Sequence, residues 1–140
     1  MITFYTARAH KAGAPQTIPN GTDTKVTFDT KDWDPNTCFD LGNNRFVVPE
    51  AGKYLCVAEA HYETPVGDKP YAIGIRKNGN WWDYRRINPP TADSHTLGIS
   101  AIVDCAANDY LEVFVWQGSG GNDDISTGSM WTFFEIHRLS

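Results

Sequence analysis

The stretch RFVVPEAGKYLCVAEAHY, residues 45–62, decides the fold class of this chain. A short apolar run ends at Pro49, the turn Pro-Glu-Ala-Gly follows, and a second apolar run begins after Lys53. Valine and aromatic residues suit a pleated surface, whereas proline and glycine interrupt regular structure. The stretch therefore predicts two strands, residues 45–48 and 53–62, joined by a turn at residues 49–52.

The rest of the 140-residue chain has the same texture. Its 12 glycines and 8 prolines separate short runs rich in Val, Ile, Thr and aromatic residues, which predicts many short strands. Asn78-Gly79 lies between two such runs and predicts a hairpin, because the type I′ turn needs a positive φ at both central residues. We predict one all-β domain over residues 1–140, with strands at residues 3–9, 25–28, 45–48, 53–62, 71–77, 81–87, 96–105, 110–117 and 131–139.

Several of these strands carry apolar side chains on both faces. A sandwich strand normally presents one apolar face to the core and a polar face to water. In residues 53–62, the face opposite Tyr54 begins with Leu55 and Val57, and the strands at 110–117 and 131–139 place apolar or aromatic side chains on both sides. The second apolar face predicts self-association, and loops folded over that face are the alternative.

Composition excludes several classes of partner. The 41% hydrophobic and 21% charged residues are typical of a globular domain, and a net charge of −5 argues against nucleic-acid binding. No segment approaches the roughly 20 apolar residues of a membrane helix, so no membrane insertion is expected. The first residues lack a basic and then apolar pattern, so we expect synthesis in the cytoplasm without a signal peptide. Three cysteines are too few for a disulfide framework, and an odd number cannot all be paired within one chain. We therefore expect buried structural thiols.

Residues 39–54, FDLGNNRFVVPEAGKY, carry a resemblance to a known family. They are similar to the central motif of C1q/tumour-necrosis-factor-like domains, in which a Phe-x-x-Pro-x-x-Gly-x-Tyr run leads into an inner strand. Shorter matches at residues 25–29, 75–79, 108–113 and 132–136 follow in the family's order. Asn108 and Glu135 depart from the pattern, because both stand where the family usually has glycine, and packing near the axis is expected to differ there.

The resemblance implies an all-β jelly roll of ten strands in two antiparallel sheets, assembled as a homotrimer around an apolar axis. The sequence is similar to those family members that lack a collagen-like stalk. Such members cap fibres or decorate virions of phages, or lie on bacterial surfaces. We therefore expect a virion or cell-surface assembly, with no cofactor. The residues that this analogy suggests for the trimer axis are Leu55, Val57, Phe114, Trp116, Trp131 and Phe133.

Residues 81–86, Trp-Trp-Asp-Tyr-Arg-Arg, are the best candidate for a recognition surface. Strict alternation would place Trp81 with Arg85 on one face and Trp82 with Arg86 on the other. Aromatic rings stack on sugars or peptides, and arginine supplies directed hydrogen bonds. The alternative is that both tryptophans pack inside the sandwich or between subunits. The predicted ligand-binding residues are Trp81, Trp82, Tyr84, Arg85, Arg86 and, in a separate acidic loop, Trp33.

Catalytic and metal-binding patterns are absent from the sequence. The four histidines have no metal-ligand spacing, and neither a nucleophile elbow nor a phosphate loop occurs, so an enzyme is not expected. Asp123 and Asp124, and the acidic residues at 32–34, are weak candidates for a calcium site. A solvated acidic loop is the favoured interpretation of both.

Three functions are compared on this basis. The leading hypothesis is a non-enzymatic trimeric head that recognises a host-surface glycan or protein. The second is a purely structural module that drives trimerisation or decorates the virion and contacts only other virion proteins. The third is a carbohydrate-active jelly-roll enzyme, which would require a concave pocket with converging carboxylates or metal ligands.

Overall fold

The computed structural model describes residues 1–140, which form thirteen β-strands and no helix. It therefore contains no helix long and apolar enough to cross a membrane. The strands are β1 (Thr6–His10), β2 (Gln16–Ile18), β3 (Thr24–Lys25), β4 (Thr30–Trp33), β5 (Phe39–Asp40), β6 (Arg45–Val47), β7 (Gly52–Tyr62), β8 (Tyr71–Lys77), β9 (Asn80–Ile87), β10 (His95–Cys105), β11 (Tyr110–Gln117), β12 (Asp123–Ile125) and β13 (Phe133–Arg138).

The strands form two antiparallel sheets, which we call the larger and the smaller sheet. The larger sheet has seven strands: β10 pairs with the whole of β7 along one edge, the other edge of β7 pairs with β13 and, at Tyr62, with β12, and the sheet continues from β13 to β1 and β4 and from β12 to β2. The smaller sheet has six strands in the order β5-β6-β11-β8-β9, with β3 paired to β11. The predicted all-β jelly roll of two antiparallel sheets is confirmed.

Most predicted strands are present, but the strand predicted at residues 25–28 is reduced to β3 at Thr24–Lys25, and the one predicted at residues 3–9 begins only at Thr6. β8 and β11 have the predicted bounds, and β7, β9 and β10 each begin one residue earlier. The structure has thirteen strands, against the nine predicted from local pattern and the ten that the resemblance implies. The four that local pattern misses, β2, β4, β5 and β12, are short segments without an alternating pattern. Their strand geometry comes from pairing with distant neighbours, which no local signal reveals.

Three positions with a positive φ explain features of the sequence. The predicted hairpin between β8 and β9 has φ values of 53° at Asn78 and 82° at Gly79, as a type I′ turn requires. Asn108, which departs from the family's glycine, has a φ of 71°. Asparagine tolerates this left-handed conformation better than most residues, so the substitution is compatible with the same turn before β11.

One apolar core lies between the sheets, and the predicted inward faces line it. The rings of Phe28, Phe39 and Phe134 contact one another with centroid separations of 6.0, 6.1 and 6.3 Å. On β7, Tyr54 and the alternate residues after it are fully buried. Leu55 and Val57, on the opposite face of β7, are only partly buried. The strand therefore presents apolar side chains on both sides, as the alternation predicted.

Candidate functional site

The outer face of the smaller sheet carries a cluster of aromatic side chains. On β11, Phe114 and Trp116 alternate with residues that point into the core, so both lie on the outer face. Phe114 pairs across the sheet with Gly74 of β8, which in turn pairs with Tyr84 of β9. Trp81 completes the cluster, with its ring centroid 5.3 Å from Tyr84 and 6.0 Å from Phe114.

A β-bulge in β9 determines which of the predicted ligand residues share this face. Ile75 pairs with Asp83 and Arg76 pairs with Trp81, so Trp82 is an extra residue without a partner across the ladder. A bulge reverses the alternation beyond it. The expectation that Trp81 shares a face with Arg85 is therefore wrong: Trp81 lies with Tyr84 and Arg86.

The guanidinium of Arg76 holds this cluster together. It lies 4.1 Å from the centroid of the Trp81 ring and 3.9 Å from that of Phe114. Its Nη2 donates a hydrogen bond of 3.0 Å to Asp23, which precedes β3. Gly74 leaves room for the Trp81 ring, because a Cβ at that position would lie about 2.5 Å from it. Stacking between a guanidinium and aromatic faces fixes ring orientation before any ligand arrives.

Two side chains of this cluster, Trp81 and Tyr84, line an open groove of about 420 Å³, and Arg76 and Phe114 lie against Trp81 beside it. Its walls are Trp81, Tyr84 and Trp116, and Asp23 lies at its rim. Trp81 and Tyr84 are 41% and 39% exposed, so their rings are accessible to a ligand. The guanidinium of Arg86 lies 5.2 Å from the centroid of the Trp116 ring. The groove thus combines flat apolar walls with charged groups, which is the chemistry of a polar-organic ligand site.

The structure divides the remaining predicted ligand residues between other surfaces. Trp82 closes the edge of the sandwich, where its indole N–H donates to the backbone oxygen of Ile102 on β10 at 3.0 Å. Arg85 faces a shallow depression beside β10, away from the groove. Trp33 pairs with Arg8 in the larger sheet and donates to the Thr6 hydroxyl, so it does not belong to the same site.

Sequence reasoning missed three residues in or beside the groove. Asp23 and Arg76 carried no local signal, because only the pairing of β3, β8 and β11 brings them beside Trp81. Trp116 had a signal, since alternation marked it as outward from the core. The resemblance assigns it to the trimer axis instead, because the sequence does not say which sheet β11 joins.

The residues suggested for the trimer axis lie on two opposite surfaces. Leu55, Val57 and Phe133 share the outer face of the larger sheet, where Val57 lies near β13 and Leu55 pairs with Ile102. Trp131 lies at the same face, with its ring centroid 4.5 Å from that of His61. Phe114 and Trp116 lie on the smaller sheet, across the core from the others, so the six side chains cannot line one axis.

The outer face of the larger sheet has an apolar half and an ionic half. Ile102 is 54% exposed and lies beside Leu55 in the apolar half. In the ionic half, Arg8 Nη1 and Nε lie 2.6 Å from Asp32 and 3.0 Å from Glu135. Glu135, which stands where the C1q/TNF-like motif usually has glycine, also contacts His137 at 2.7 Å. Glycine could not supply this carboxylate, so the departure from the family pattern serves a charge network here.

A second cleft, of about 500 Å³, lies at the end of the same face between His61, His95 and Trp131. His61 Nδ1 lies 2.7 Å from the Thr96 hydroxyl. The His95 ring stacks on Tyr62 at 5.8 Å, and neither of its buried nitrogens has a hydrogen-bond partner. Burial lowers the pKa of both histidines below the ordinary value.

The acidic residues weighed as calcium ligands do not converge on one point. Asp123 is buried and accepts a hydrogen bond of 2.6 Å from the Tyr71 hydroxyl, whereas Asp124 on the other side of β12 is exposed. Burial raises the pKa of Asp123. Asp34 accepts hydrogen bonds from the backbone N–H groups of Cys38 and Phe39. No cluster of three or more metal-binding side chains occurs in the chain.

Sequence comparison connects the chain to a phage-derived element. No protein-family model matches it. It is 27% identical over 117 residues to the phage-like element PBSX protein XkdV of Bacillus subtilis (strain 168), a match that covers 76% of this chain and 17% of that protein. It is 25% identical over 129 residues to the uncharacterized protein YqcC of the same organism, covering 83% of this chain and 35% of that protein. The chain thus spans well under half the length of either curated relative.

Comparison with solved structures identifies the fold. Eiger TNF from S. frugiperda superposes with a TM-score of 0.76 at 13% identity, covering 99% of this chain and 94% of that one. Murine APRIL at pH 5.0 gives 0.72 at 11% identity, covering 98% and 100%. The globular domain of the zebrafish complement 1qA protein gives 0.67 at 14% identity, covering 98% and 96%. The chain has the C1q/TNF-like jelly-roll fold, and its similarity to XkdV agrees with the phage type that the sequence predicted.

Proposed function

We propose that this chain is the non-enzymatic, homotrimeric binding head of a phage-derived assembly, and that the aromatic groove of the smaller sheet recognises a molecule on the host surface. The observation that carries the proposal is the groove itself. Three large aromatic side chains, with an arginine held between two rings beside them, form an accessible surface that the core does not need. Exposed aromatic clusters with charged rims are typical of binding sites.

Self-association is proposed through the outer face of the larger sheet. Leu55, Val57 and the exposed Ile102 form its apolar half, which a neighbouring copy would cover. Closed rings of identical subunits bury such a face without leaving an open edge. Phe133 and Trp131 belong to the same face and stay in the proposed interface, whereas the groove lies on the opposite side of the sandwich. The two functions therefore use separate surfaces, and each can be altered without the other.

The recognition half of the proposal is tested by cell binding. The fluorescently labelled chain is incubated with a panel of bacteria that includes B. subtilis, the organism of both relatives. Trp81→Ala and Trp116→Ala should each lower cell binding at least tenfold, because each removes a wall of the groove. Val66→Ala is the matched control: Val66 is 42% exposed, against 41% for Trp81, but it lies in the loop before β8 and does not line the groove. Equal binding by all variants would refute the groove as the recognition site.

A structural role is the second candidate. The relatives that the chain matches are much longer than the chain, so the matched segment is a minor part of each. A module of that kind can serve by trimerising or by contacting other virion proteins. This role predicts that the unaltered chain assembles stably and binds none of the bacteria in the panel. That result would refute the recognition proposal.

A further inference from the structure

We propose that the groove of the smaller sheet binds a saccharide that carries an anionic group, a carboxylate or a phosphate, and that Arg86 holds this group. The inference rests on the proposed function, since it names the ligand of the same groove. It is carried by three features of the groove: the arrangement of its rings, its one uncompensated cation and its rigidity.

The aromatic rings form walls that are complementary in size and chemistry to a sugar ring. Trp81 and Tyr84 meet edge to face with their planes 72° apart, and Trp116 lines the same cavity. A pyranose is a flat ring with apolar C–H faces and polar edges, so one face can lie against an indole while its hydroxyls point outward. Asp23 stands at the rim, where its carboxylate can accept a hydroxyl hydrogen bond in addition to the one from Arg76.

The distribution of charge selects an anionic ligand. Three ion pairs neutralise the other cations of this face: Arg76 with Asp23, Lys25 with Glu112 at 2.8 Å, and Arg45 with Asp40 at 4.0 Å. Arg86 takes part in none of these pairs, and its guanidinium lies over the Trp116 ring. A guanidinium binds a carboxylate or phosphate through two parallel hydrogen bonds. Because the whole chain carries a charge of −5, a sugar with isolated charges fits better than a dense polyanion.

The groove is also organised before binding. Arg76 is held between two rings and by Asp23, and Gly74 allows the Trp81 ring to lie against the sheet. Less side-chain freedom is therefore lost when a ligand binds, which raises affinity for a rigid ring.

The test compares probes that differ in charge alone or in the kind of anion. Binding of the full chain to trigalacturonate, to its neutral methyl ester, to maltotriose and to maltotriose phosphate is measured by saturation-transfer NMR and titration calorimetry. Trigalacturonate or the phosphate should bind about 10- to 100-fold more tightly than its neutral counterpart, the effect of one charge-assisted bidentate contact. Which of the two anionic probes binds identifies the source of the charge.

Arg86→Ala should abolish the difference between charged and neutral probes, and Arg86→Lys should restore part of it. Arg85→Ala is the matched control, because Arg85 is the adjacent residue but faces β10. Equal affinity for charged and neutral sugars overturns the anionic ligand and leaves the proposed function intact. If none of the four sugars binds while Trp81→Ala still lowers cell binding, the proposal of a saccharide ligand is wrong and a protein ligand is favoured. If none of the sugars binds and Trp81→Ala leaves cell binding unchanged, both the saccharide ligand and the groove as recognition site are refuted.

Discussion

Replacing Ile102 with aspartate should dissociate the proposed trimer while leaving the single chain folded. Ile102 lies on the outer face of β10, opposite Leu55, and is 54% exposed in one chain. Its side chain therefore contributes little to the core of that chain. In a trimer closed on this face, the same side chain would be covered in every copy.

The size of the effect follows from this exposure. Covering the exposed half of an isoleucine contributes about 1 kcal/mol per copy, half of the value for full burial. An aspartate in its place leaves a buried, unpaired carboxylate, which costs about 2–3 kcal/mol more per copy. Across three copies the trimer loses about 10 kcal/mol. Because trimer dissociation depends on the square of protein concentration, the midpoint concentration should rise by about three to four decades.

Sedimentation equilibrium and light scattering measure this shift. At tens of micromolar, the unaltered chain should have three times the 15.6 kDa mass of one chain, and Ile102→Asp should have the mass of one. Val66→Asp is the control, since Val66 is 42% exposed in a loop before β8 and should leave the assembly unchanged. A trimeric Ile102→Asp chain with an unaltered midpoint, or an unaltered chain that is monomeric, would refute the assignment of this face as an interface.

Three further predictions concern one chain. Trp82→Phe removes the indole hydrogen bond to the backbone oxygen of Ile102 and should lower the free energy of unfolding, measured in urea, by about 0.5–1 kcal/mol. An unchanged urea midpoint would mean that this hydrogen bond does not stabilise the contact between β9 and β10. Burial lowers the pKa of His95, so the unfolded chain binds more protons and the free energy of unfolding should fall as pH drops below about 6.5. His95→Phe should flatten that slope relative to the unaltered chain, and an equal slope would contradict the assignment. The three cysteines are buried, and burial raises the pKa of each thiol, so none should react with Ellman's reagent until the chain unfolds.

The core and the outward faces of single strands could be predicted from sequence. Alternation in residues 53–62 placed Tyr54 inward and Leu55 outward, and the structure confirms both. The Asn78-Gly79 turn was equally local, because only the conformations of those two residues decide it. The short strands β2 and β12 were missed, since each is a strand only by virtue of the partner beside it.

The candidate site was predicted only in part. Trp81, Tyr84 and Arg86 were named, and the structure brings these three together with Trp116. The bulge at Trp82 separated Arg85 from them, and a bulge depends on the register of the partner strand, which local sequence does not encode. Asp23 and Arg76 joined the groove through pairing between strands distant in sequence.

The amino-acid sequence alone determined the all-β class, the alternation of β7 and β11 and the position of the hairpin between β8 and β9, because these depend on neighbours one to four residues apart. Only the tertiary structure decided that Phe114 and Trp116 face one side of the sandwich and Leu55 and Val57 the other. Alternation states which side chains of a strand share a face, but the sheet that the strand joins depends on contacts between residues far apart in the chain. For that reason the sequence could not predict that the groove and the proposed interface are two separate surfaces; only the pairing of the strands places them on opposite sides of the sandwich.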